Sequence, residues 1–364
     1  MNFLVKAYNS FTGHPGSCSR FPGAAVLNDG RIVILYDDGP DCDSSEHEMR
    51  IAFSYDRGRS WLDGGSMYDQ AKLNLPHRFT ENCKPTLLDN NELVAVGFGF
   101  LRDEPEVSLS DYAIKYGKFP TSFNTVNRSY DGGKTWMLPE FIPHNFDAAL
   151  ELSGPALWCQ KTQTLLVFGP PFVLQGSFQR GICMGSNDHG KTWEEYGVFF
   201  SSEHIAPWEV RSLQEPSGRI WLVIWAYDFD KKSHLDNKIV YSEDCGRSWS
   251  PVLDTNIYGQ AANLFSIDGK KFLLYTVREG DNPGIYCVRF DLLENNTLTL
   301  DQPTLLWSAG ASTLANGERI EKQFRALKFG QPSITDLGNG EYLLLFWSCE
   351  DDKYAIRTYI LQFN

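Results

Sequence analysis

The apolar positions of the chain fall into short runs that come in pairs. Six segments each contain two runs of strand length around a turn rich in Gly, Asn or Asp, which is the pattern of a β-hairpin. The segments start about 50 to 70 residues apart, at Gly23, Lys84, Gly154, Glu209, Gln260 and Gln331. In the second of them, KPTLL and ELVAVGFGF flank the turn DNN. The chain is therefore predicted to consist of repeated hairpins.

A second repeat follows four of these hairpins. The segments 54–61, 129–136, 186–193 and 242–249 share the pattern S-x-D-x-G-x-[ST]-W. Each residue type suits a tight turn, because Asp accepts hydrogen bonds from turn N–H groups, Gly adopts a positive φ and Trp supplies a large apolar anchor. The repeat predicts the turn of an outer hairpin, with a structural rather than a catalytic role.

An inner and an outer hairpin together make a four-stranded antiparallel unit, and six units predict an all-β, six-bladed β-propeller. Because such a ring closes on itself, residues 1–364 are expected to form a single domain. The last two outer hairpins, GIYCVRFDLLENNTLTL and KYAIRTYILQF, lack the repeated turn. We expect the final strand and the residues before Arg20 to complete one blade jointly.

Three segments are longer than a propeller needs and are therefore expected to carry function or wall a pocket. They are 62–82, 103–126 and 301–330. Short helices are predicted within 108–117 and 318–327.

Composition narrows the possible partners. The chain has 33 Lys and Arg against 46 Asp and Glu, a net charge of −13, and nucleic-acid binding needs a basic patch. No apolar stretch approaches the roughly 20 residues of a membrane span, and the start MNFLVKAYNSF lacks the apolar run of a secretory signal. We therefore expect a protein that binds neither nucleic acid nor membrane, and a cytoplasmic location unless a leader has been removed.

The eight cysteines are scattered singly, with no C-x-x-C pair and no Cys/His cluster at zinc spacing. Free thiols are the expected state, and the sequence predicts no metal and no cofactor.

Candidate chemistry lies where the predicted strands bring polar residues together. In a propeller, residues just before the first strand of each blade and just after the second gather at one mouth of the central channel. These positions are Arg20, Glu81, Glu151, Glu209, Tyr258 and Gln331 before the first strands, and Tyr36, Asp37, Asp38, Asp43, Arg102, Asp103, Tyr227, Asp228, Arg278, Glu279, Glu350 and Asp351 after the second. Crowded carboxylates raise one another's pKa, which is one way to make a general acid. The alternative is a solvated rim of turn residues.

The six hairpins and the four repeated turns resemble the sialidase (neuraminidase) superfamily of Asp-box (BNR-repeat) propellers, and the resemblance spans nearly the whole chain. It implies that the segment Arg20-Phe21-Pro22 corresponds to the family's Arg-Ile-Pro. It also implies an acid/base Asp at Asp43, for which Asp37, Asp38 and Asp41 compete. Glu209, followed by Gly218-Arg219-Ile220, resembles the family glutamate that activates a tyrosine nucleophile. Arg278 resembles one of three arginines that clamp the substrate carboxylate.

Two departures from the family pattern change the expected chemistry. The strand IWLVIWAYD has no arginine where a clamp arginine is expected, and Gln331 stands where the tyrosine nucleophile should open the last hairpin. Sialidases depend on that tyrosine. Cleavage by the usual sialidase route is therefore not expected.

The sequence predicts an exo-acting glycoside hydrolase that works on a terminal, possibly anionic, sugar with two carboxylates. Asp43, or else Asp37 or Asp38, is the predicted general acid, and Glu209 is the base or activator. The residues expected to bind the carbohydrate are Arg20, Arg278, Tyr227 and Gln331. Two alternatives remain open: a non-catalytic carbohydrate-binding propeller, and a polysaccharide lyase in which Arg20 neutralises a substrate carboxylate.

Overall fold

Antiparallel strands make up almost all of the computed structural model, which describes residues 1–146, 148–173, 178–310 and 327–363. The strands form six separate sheets, each built from consecutive hairpins. The fold is the six-bladed β-propeller that the repeats predict. The chain divides into two compact units, Met1–Ala149 with Ser333–Asn364 (unit 1) and Leu150–Pro332 (unit 2).

Unit 1 contains the strands of blades 1, 2 and 6, except for the first residues of β24. Blade 1 consists of β2 (Cys18–Val26), β3 (Ile32–Gly39), β4 (Glu48–Ser54) and β5 (Leu62–Ser66). Blade 2 consists of β6 (Arg78–Leu87), β7 (Leu93–Arg102), β8 (Ser122–Ser129) and β9 (Glu140–Ile142). Blade 6 consists of β24 (Phe329–Gly338), β25 (Glu341–Glu350), β26 (Lys353–Phe363) and β1 (Phe3–Phe11).

Unit 2 contains blades 3, 4 and 5. Blade 3 consists of β10 (Leu157–Cys159), β11 (Thr164–Gly169), β12 (Gln179–Ser186) and β13 (Glu194–Ser202). Blade 4 consists of β14 (Ile205–Gln214), β15 (Ile220–Asp228), β16 (Ser233–His234), β17 (Asp236–Ser242) and β18 (Leu253–Tyr258). Blade 5 consists of β19 (Gln260–Ile267), β20 (Lys270–Val277), β21 (Gly284–Leu292), β22 (Leu298–Leu300) and β23 (Thr304–Ser308). Blades 4 and 5 thus exceed the predicted four strands, because β16 pairs with β15 and β23 pairs with β21.

The two ends of the chain complete blade 6 together, as the sequence predicts. Strand β1 pairs antiparallel with β26, with Phe3 opposite Phe363 and Tyr8 opposite Tyr359. The two tyrosine rings lie 4.7 Å apart between centroids, so side-chain packing adds to the backbone pairing of this edge.

The four repeated turns have the geometry that their residue types predict. In the third copy, Asp188 accepts hydrogen bonds from the backbone N–H of Thr192 at 2.8 Å and from the hydroxyl of Ser186 at 2.8 Å. Gly190 has φ 83°. The indole of Trp193 donates to the carbonyl of Gly190 at 2.9 Å, which fixes the ring over the turn.

The helix predicted within 108–117 is present. The helix predicted within 318–327 lies almost entirely outside the described residues. Helix α1 (Leu109–Tyr116) begins after Ser108, whose hydroxyl accepts a hydrogen bond from the N–H of Asp111, and ends at Gly117 with φ 64°. Of the second predicted helix, within 318–327, only Leu327 belongs to the described residues. None of the helices in the described ranges has the length and apolar content needed to cross a bilayer.

The buried sheets supply a rigid frame for the polar residues at the ends of the strands. In unit 2, Trp221 and Leu273 are fully buried in one cluster between blades 4 and 5. In unit 1, Val33 and Leu93 are fully buried in a corresponding cluster between blades 1 and 2. Such cores are close-packed, so strand-end residues are held in defined positions.

Candidate active site

The inner strands share an unusual backbone feature close to the predicted site residues. In β2, β14 and β19, two residues stand opposite one on the neighbouring strand, which defines a β-bulge. The first residue of each bulge has a positive φ: Phe21 (51°), Glu209 (43°) and Ala261 (45°). Gln331 in β24 has the same conformation, with φ 48°. A positive φ strains any residue other than glycine, and such strain is often found at functional sites.

Glu209 is held by contacts within unit 2. Its Oε1 accepts a hydrogen bond from Nε2 of Gln331 at 2.8 Å. Its Oε2 is buried and accepts no hydrogen bond from any residue in the described ranges. The carboxylate therefore has one anchored oxygen and one oxygen with capacity for a ligand.

A second carboxyl group, that of Glu151, adjoins Glu209. Oε2 of Glu151 accepts a hydrogen bond from the backbone N–H of Glu209 at 3.4 Å. Burial and the charge of Glu209 together raise the pKa of Glu151 to about 8, although that hydrogen bond and the charge of Arg211 act in the opposite direction. Glu151 is therefore largely protonated at neutral pH, which is the state that a general acid requires.

Two buried arginines belong to the same group of residues. Arg211 donates from Nη1 to the hydroxyl of Ser153 at 2.7 Å. Arg278 donates from Nε to the carbonyl of Phe329 at 2.9 Å, and from Nη1 to the side chain of Gln260. Burial lowers the pKa of Arg278 to about 10, and the charge of Glu209 opposes that shift. Both arginines remain cations at neutral pH, so two positive charges interact with the charge of Glu209.

An aromatic group precedes Glu209 on β14. The half-buried ring of Trp208 stacks on that of Tyr227, with centroids 4.7 Å apart and an interplanar angle of 16°. The ring of Phe229 meets Trp208 edge-on at 5.8 Å. Tyr227 is only 3% exposed, and its direct contact with a substrate stays a prediction. Tyr227 supports Trp208, which is the more exposed ring of the pair.

In unit 1, two of the predicted general acids have structural partners. Asp38 is buried, and its Oδ1 accepts hydrogen bonds from the hydroxyls of Ser17 and Ser19 and from the N–H of Gly13. It ties the loop between β1 and β2 to β3, and a catalytic role for Asp38 stays a prediction.

Asp43 lies at the start of helix α1. Its carboxylate oxygens accept hydrogen bonds from the N–H groups of Leu109 at 3.2 Å and Ser110 at 3.4 Å. Its carbonyl accepts one from Arg102. Asp43 therefore ties its own loop to the first turn of helix α1. Its role as general acid stays a prediction.

Asp37 is paired with a histidine that the sequence did not single out. Its Oδ1 lies 2.7 Å from Nδ1 of His47, and Nε2 of His47 contacts the carbonyl of Asp41. Burial opposes protonation of His47, but the charge of Asp37 and the contact with it outweigh burial and raise the pKa of His47. Asp37 is thus paired with an imidazole, an arrangement that suits a counter-ion.

The loop that carries Asp41 and Asp43 is tied down covalently. Cys18 and Cys42 form a disulfide with Cα atoms 5.4 Å apart. The expectation that all cysteines are free is wrong for this pair, because the loop after β3 returns Cys42 to the start of β2. The other six cysteines are thiols.

Arg20 is placed among aromatic rings and acidic residues of unit 1. Its guanidinium lies 4.7 Å from the centroid of the Phe21 ring and 5.8 Å from that of Trp347. Its Nε is buried and donates no hydrogen bond to any residue in the described part of the chain. Burial lowers the pKa of Arg20, and the charge of Asp37 is the largest influence in the other direction. A cation with unused donor capacity is consistent with the predicted anion-binding role.

The candidate residues predicted from the sequence thus form two groups, one in each unit. Glu209, Arg278 and Gln331 share one group in unit 2, and Asp37 and Arg20 share another in unit 1. That Arg20 and Glu209 contribute to one mouth stays a prediction. Glu151 was placed among the rim positions without a role, although its position just before the third hairpin was the available signal. Among the described residues, no group of three or more His, Cys, Asp or Glu could hold a metal ion.

Several solved structures have the same fold as this chain. No family model matches the chain, and no curated protein matches its sequence. A protein of unknown function from Dyadobacter fermentans superposes with a TM-score of 0.77 at 16% identity, covering 100% of this chain and 99% of its own.

Two structures with named activities are also similar. The NanB sialidase from Streptococcus pneumoniae has a TM-score of 0.65 at 13% identity, covering 99% of this chain and 70% of its own. An α-L-arabinanase from Penicillium chrysogenum, complexed with arabinobiose, has a TM-score of 0.64 at 11% identity, covering 99% of this chain and 98% of its own. The sialidase-like fold that the sequence resemblance implies is confirmed.

Proposed function

We propose that the protein is a glycoside hydrolase in which Glu151 and Glu209 are the two catalytic carboxyl groups. The observation that carries the proposal is their different environments. Glu151 is held largely protonated by burial and by its charged neighbour. Glu209 accepts a hydrogen bond from Gln331. The charge of Glu209 also acts to raise the pKa of Arg211 and of Arg278, against the effect of their burial. Two adjacent carboxyl groups in different protonation states are the usual acid and base of glycosidases.

In the proposed reaction, Glu151 donates its proton to the glycosidic oxygen as the bond to the leaving group breaks. Glu209 acts on the other side, either by attacking the anomeric carbon or by removing a proton from a water that attacks it. The buried Oε2 of Glu209 has no partner among the described residues and is the oxygen available for that step.

The polar groups around the pair favour a terminal sugar with an anionic or strongly polar substituent. With Glu151 protonated, Arg211 and Arg278 outweigh the charge of Glu209. Guanidinium groups suit carboxylates and vicinal hydroxyls, and the ring of Trp208 could stack against the apolar face of a sugar. The names of the similar structures, a sialidase and an arabinanase, agree with a carbohydrate substrate.

A panel of aryl glycosides and uronic-acid oligosaccharides tests the proposal. Glu151→Gln should reduce turnover of a substrate with a poor leaving group on the order of 10²–10⁴-fold, and much less with dinitrophenyl glycosides, which leave without a proton. Glu209→Gln should reduce turnover of both kinds of substrate. Glu203→Gln is the matched control, because that glutamate is exposed.

The results also separate the alternatives. Binding of a glycan in calorimetry with no product after long incubation would identify a carbohydrate-binding propeller and overturn the proposal. A product with a new carbon–carbon double bond, seen by its ultraviolet absorbance, would identify a lyase. Unchanged turnover in both Glu151→Gln and Glu209→Gln would also overturn the proposal.

A further inference from the structure

Two cysteines from neighbouring blades of unit 2 lie in contact, away from the residues of the proposed glycosidase. Cys159 ends β10 in blade 3, and Cys245 belongs to the repeated turn of blade 4. Cys245 packs against the buried cluster that contains Cys159, and their thiols hydrogen-bond to each other. The hydroxyl of Thr162 lies 3.2 Å from Sγ of Cys245, and Nε2 of Gln214 donates to Sγ of Cys159 at 3.4 Å.

The turn itself does not require a cysteine at position 245. Cys245 has φ 60°, and the equivalent residues of the other three turns are Arg57, Gly132 and His189, all with positive φ. At this position the four copies share only the positive φ. The thiol therefore has no part in forming the turn.

The two thiols differ in exposure and in acidity. Cys245 is half-buried, whereas Cys159 is 1% exposed. The hydrogen bond from Cys159 lowers the pKa of Cys245 in spite of its burial, and Thr162, Thr164 and the charge of Arg247 act in the same direction. The pKa of Cys159 is raised. This is the asymmetry of an attacking thiolate beside a resolving thiol.

We propose that Cys245 and Cys159 form a thiol–disulfide exchange site that reacts with low-molecular-weight disulfides. The thiolate of Cys245 attacks one sulfur of the disulfide RSSR, a mixed disulfide forms at Cys245, and RS⁻ leaves and takes up a proton. Cys159 then loses its proton and attacks Sγ of Cys245. The second RS⁻ leaves, so that two electrons pass from the protein to RSSR and a disulfide links Cys159 to Cys245.

Oxidised glutathione is the probe, applied to the full chain and followed by intact mass and by peptide mapping after the remaining thiols are alkylated. The wild type should lose two of its six free thiols, become two hydrogens lighter and yield one peptide pair linked through Cys159 and Cys245. Dithiothreitol should reverse the change. Cys159→Ser should stop at one glutathionyl group on Cys245.

Two controls keep the assignment specific. Cys349→Ser removes the other half-buried thiol and should react like the wild type. Cys183→Ala removes the buried thiol next to Gly246 and should still yield the Cys159–Cys245 link. Modification of Cys349 in preference to Cys245, or a link between Cys245 and Cys183, would overturn the proposal. Peptide mapping of the wild type alone shows which cysteines are modified or linked. The proposal can therefore be tested even if a variant misfolds.

Discussion

The side-chain amide of Gln331 donates a hydrogen bond to Oε1 of Glu209 at 2.8 Å, and both residues have a positive φ. The sialidase resemblance predicts a tyrosine nucleophile at position 331. The amide cannot attack an anomeric carbon, but it orients the carboxylate that the tyrosine would have needed. In the proposed mechanism, the glutamate itself therefore takes the role that a tyrosine activated by glutamate has in the sialidase pattern.

Replacing Gln331 should reduce catalysis more than folding. Gln331→Ala removes the donor that orients Glu209, and kcat/KM should fall about 10- to 100-fold, in line with the loss of about 1.5–3 kcal/mol for a hydrogen bond to a charged group. Gln163→Ala is the matched control, because Gln163 also has a positive φ (53°) but lies in an exposed turn. Equal kcat/KM values for both variants and the wild type would contradict the positioning role.

The pH dependence of turnover should identify the proton donor. Because the pKa of Glu151 is raised to about 8, the acid is present below that pH, and kcat/KM should fall tenfold per pH unit above it. Glu151→Gln has no proton to donate, so its residual turnover of the same substrate should lack this alkaline limb. A limb that persists in the variant would assign the proton to another group.

Replacing Asp38 should destabilise the protein without altering its chemistry. Asp38→Ala leaves the hydroxyl of Ser19 without its acceptor. It also removes one of two acceptors from the N–H of Gly13 and from the hydroxyl of Ser17. We expect a loss of about 2–4 kcal/mol in the free energy of unfolding. Asp29→Ala, at an exposed ion pair with Arg31, should change it by less than about 1 kcal/mol. If Asp38 were the general acid, its loss would abolish turnover in the fraction of Asp38→Ala that remains folded.

The contribution of the repeated turns to the free energy of unfolding should decrease at low pH. Burial opposes the charge of Asp188, but hydrogen bonds from Thr192 and Ser186 outweigh it and lower the pKa to about 2. The stabilisation is therefore complete above the ordinary pKa of 3.8 and is lost as the pH falls through about 2. Asp188→Asn should be less stable in urea at pH 5 and show a smaller further loss between pH 4 and pH 2. An equal acid dependence in variant and wild type would show that the turn does not respond to the charge of Asp188.

The fold could be predicted from the sequence because its signals are local. Alternating hydrophobicity defines each hairpin, and the turn residues of segments such as 186–193 act within eight positions of one another. Even the joining of β1 to β26 followed from counting strands.

The candidate site was less predictable because its contacts are not local. Asp38 and Asp43 have the residue type and position of general acids, yet each accepts a hydrogen bond from a partner distant in the sequence, Ser17 and Leu109 respectively. The pKa of Glu151 depends on Glu209, 58 positions away. The disulfide of Cys18 with Cys42 similarly requires the course of the loop between them, which spacing alone does not define.

Ala261 shares its positive φ with Glu209 and Gln331, although alanine has no polar group to present. The backbone shape is thus a property of the blade and does not depend on which side chain occupies it. Evolution can consequently exchange reactive groups among these positions by single substitutions, without rebuilding the surrounding strand. The same scaffold can therefore present different reactive groups while its architecture stays unchanged.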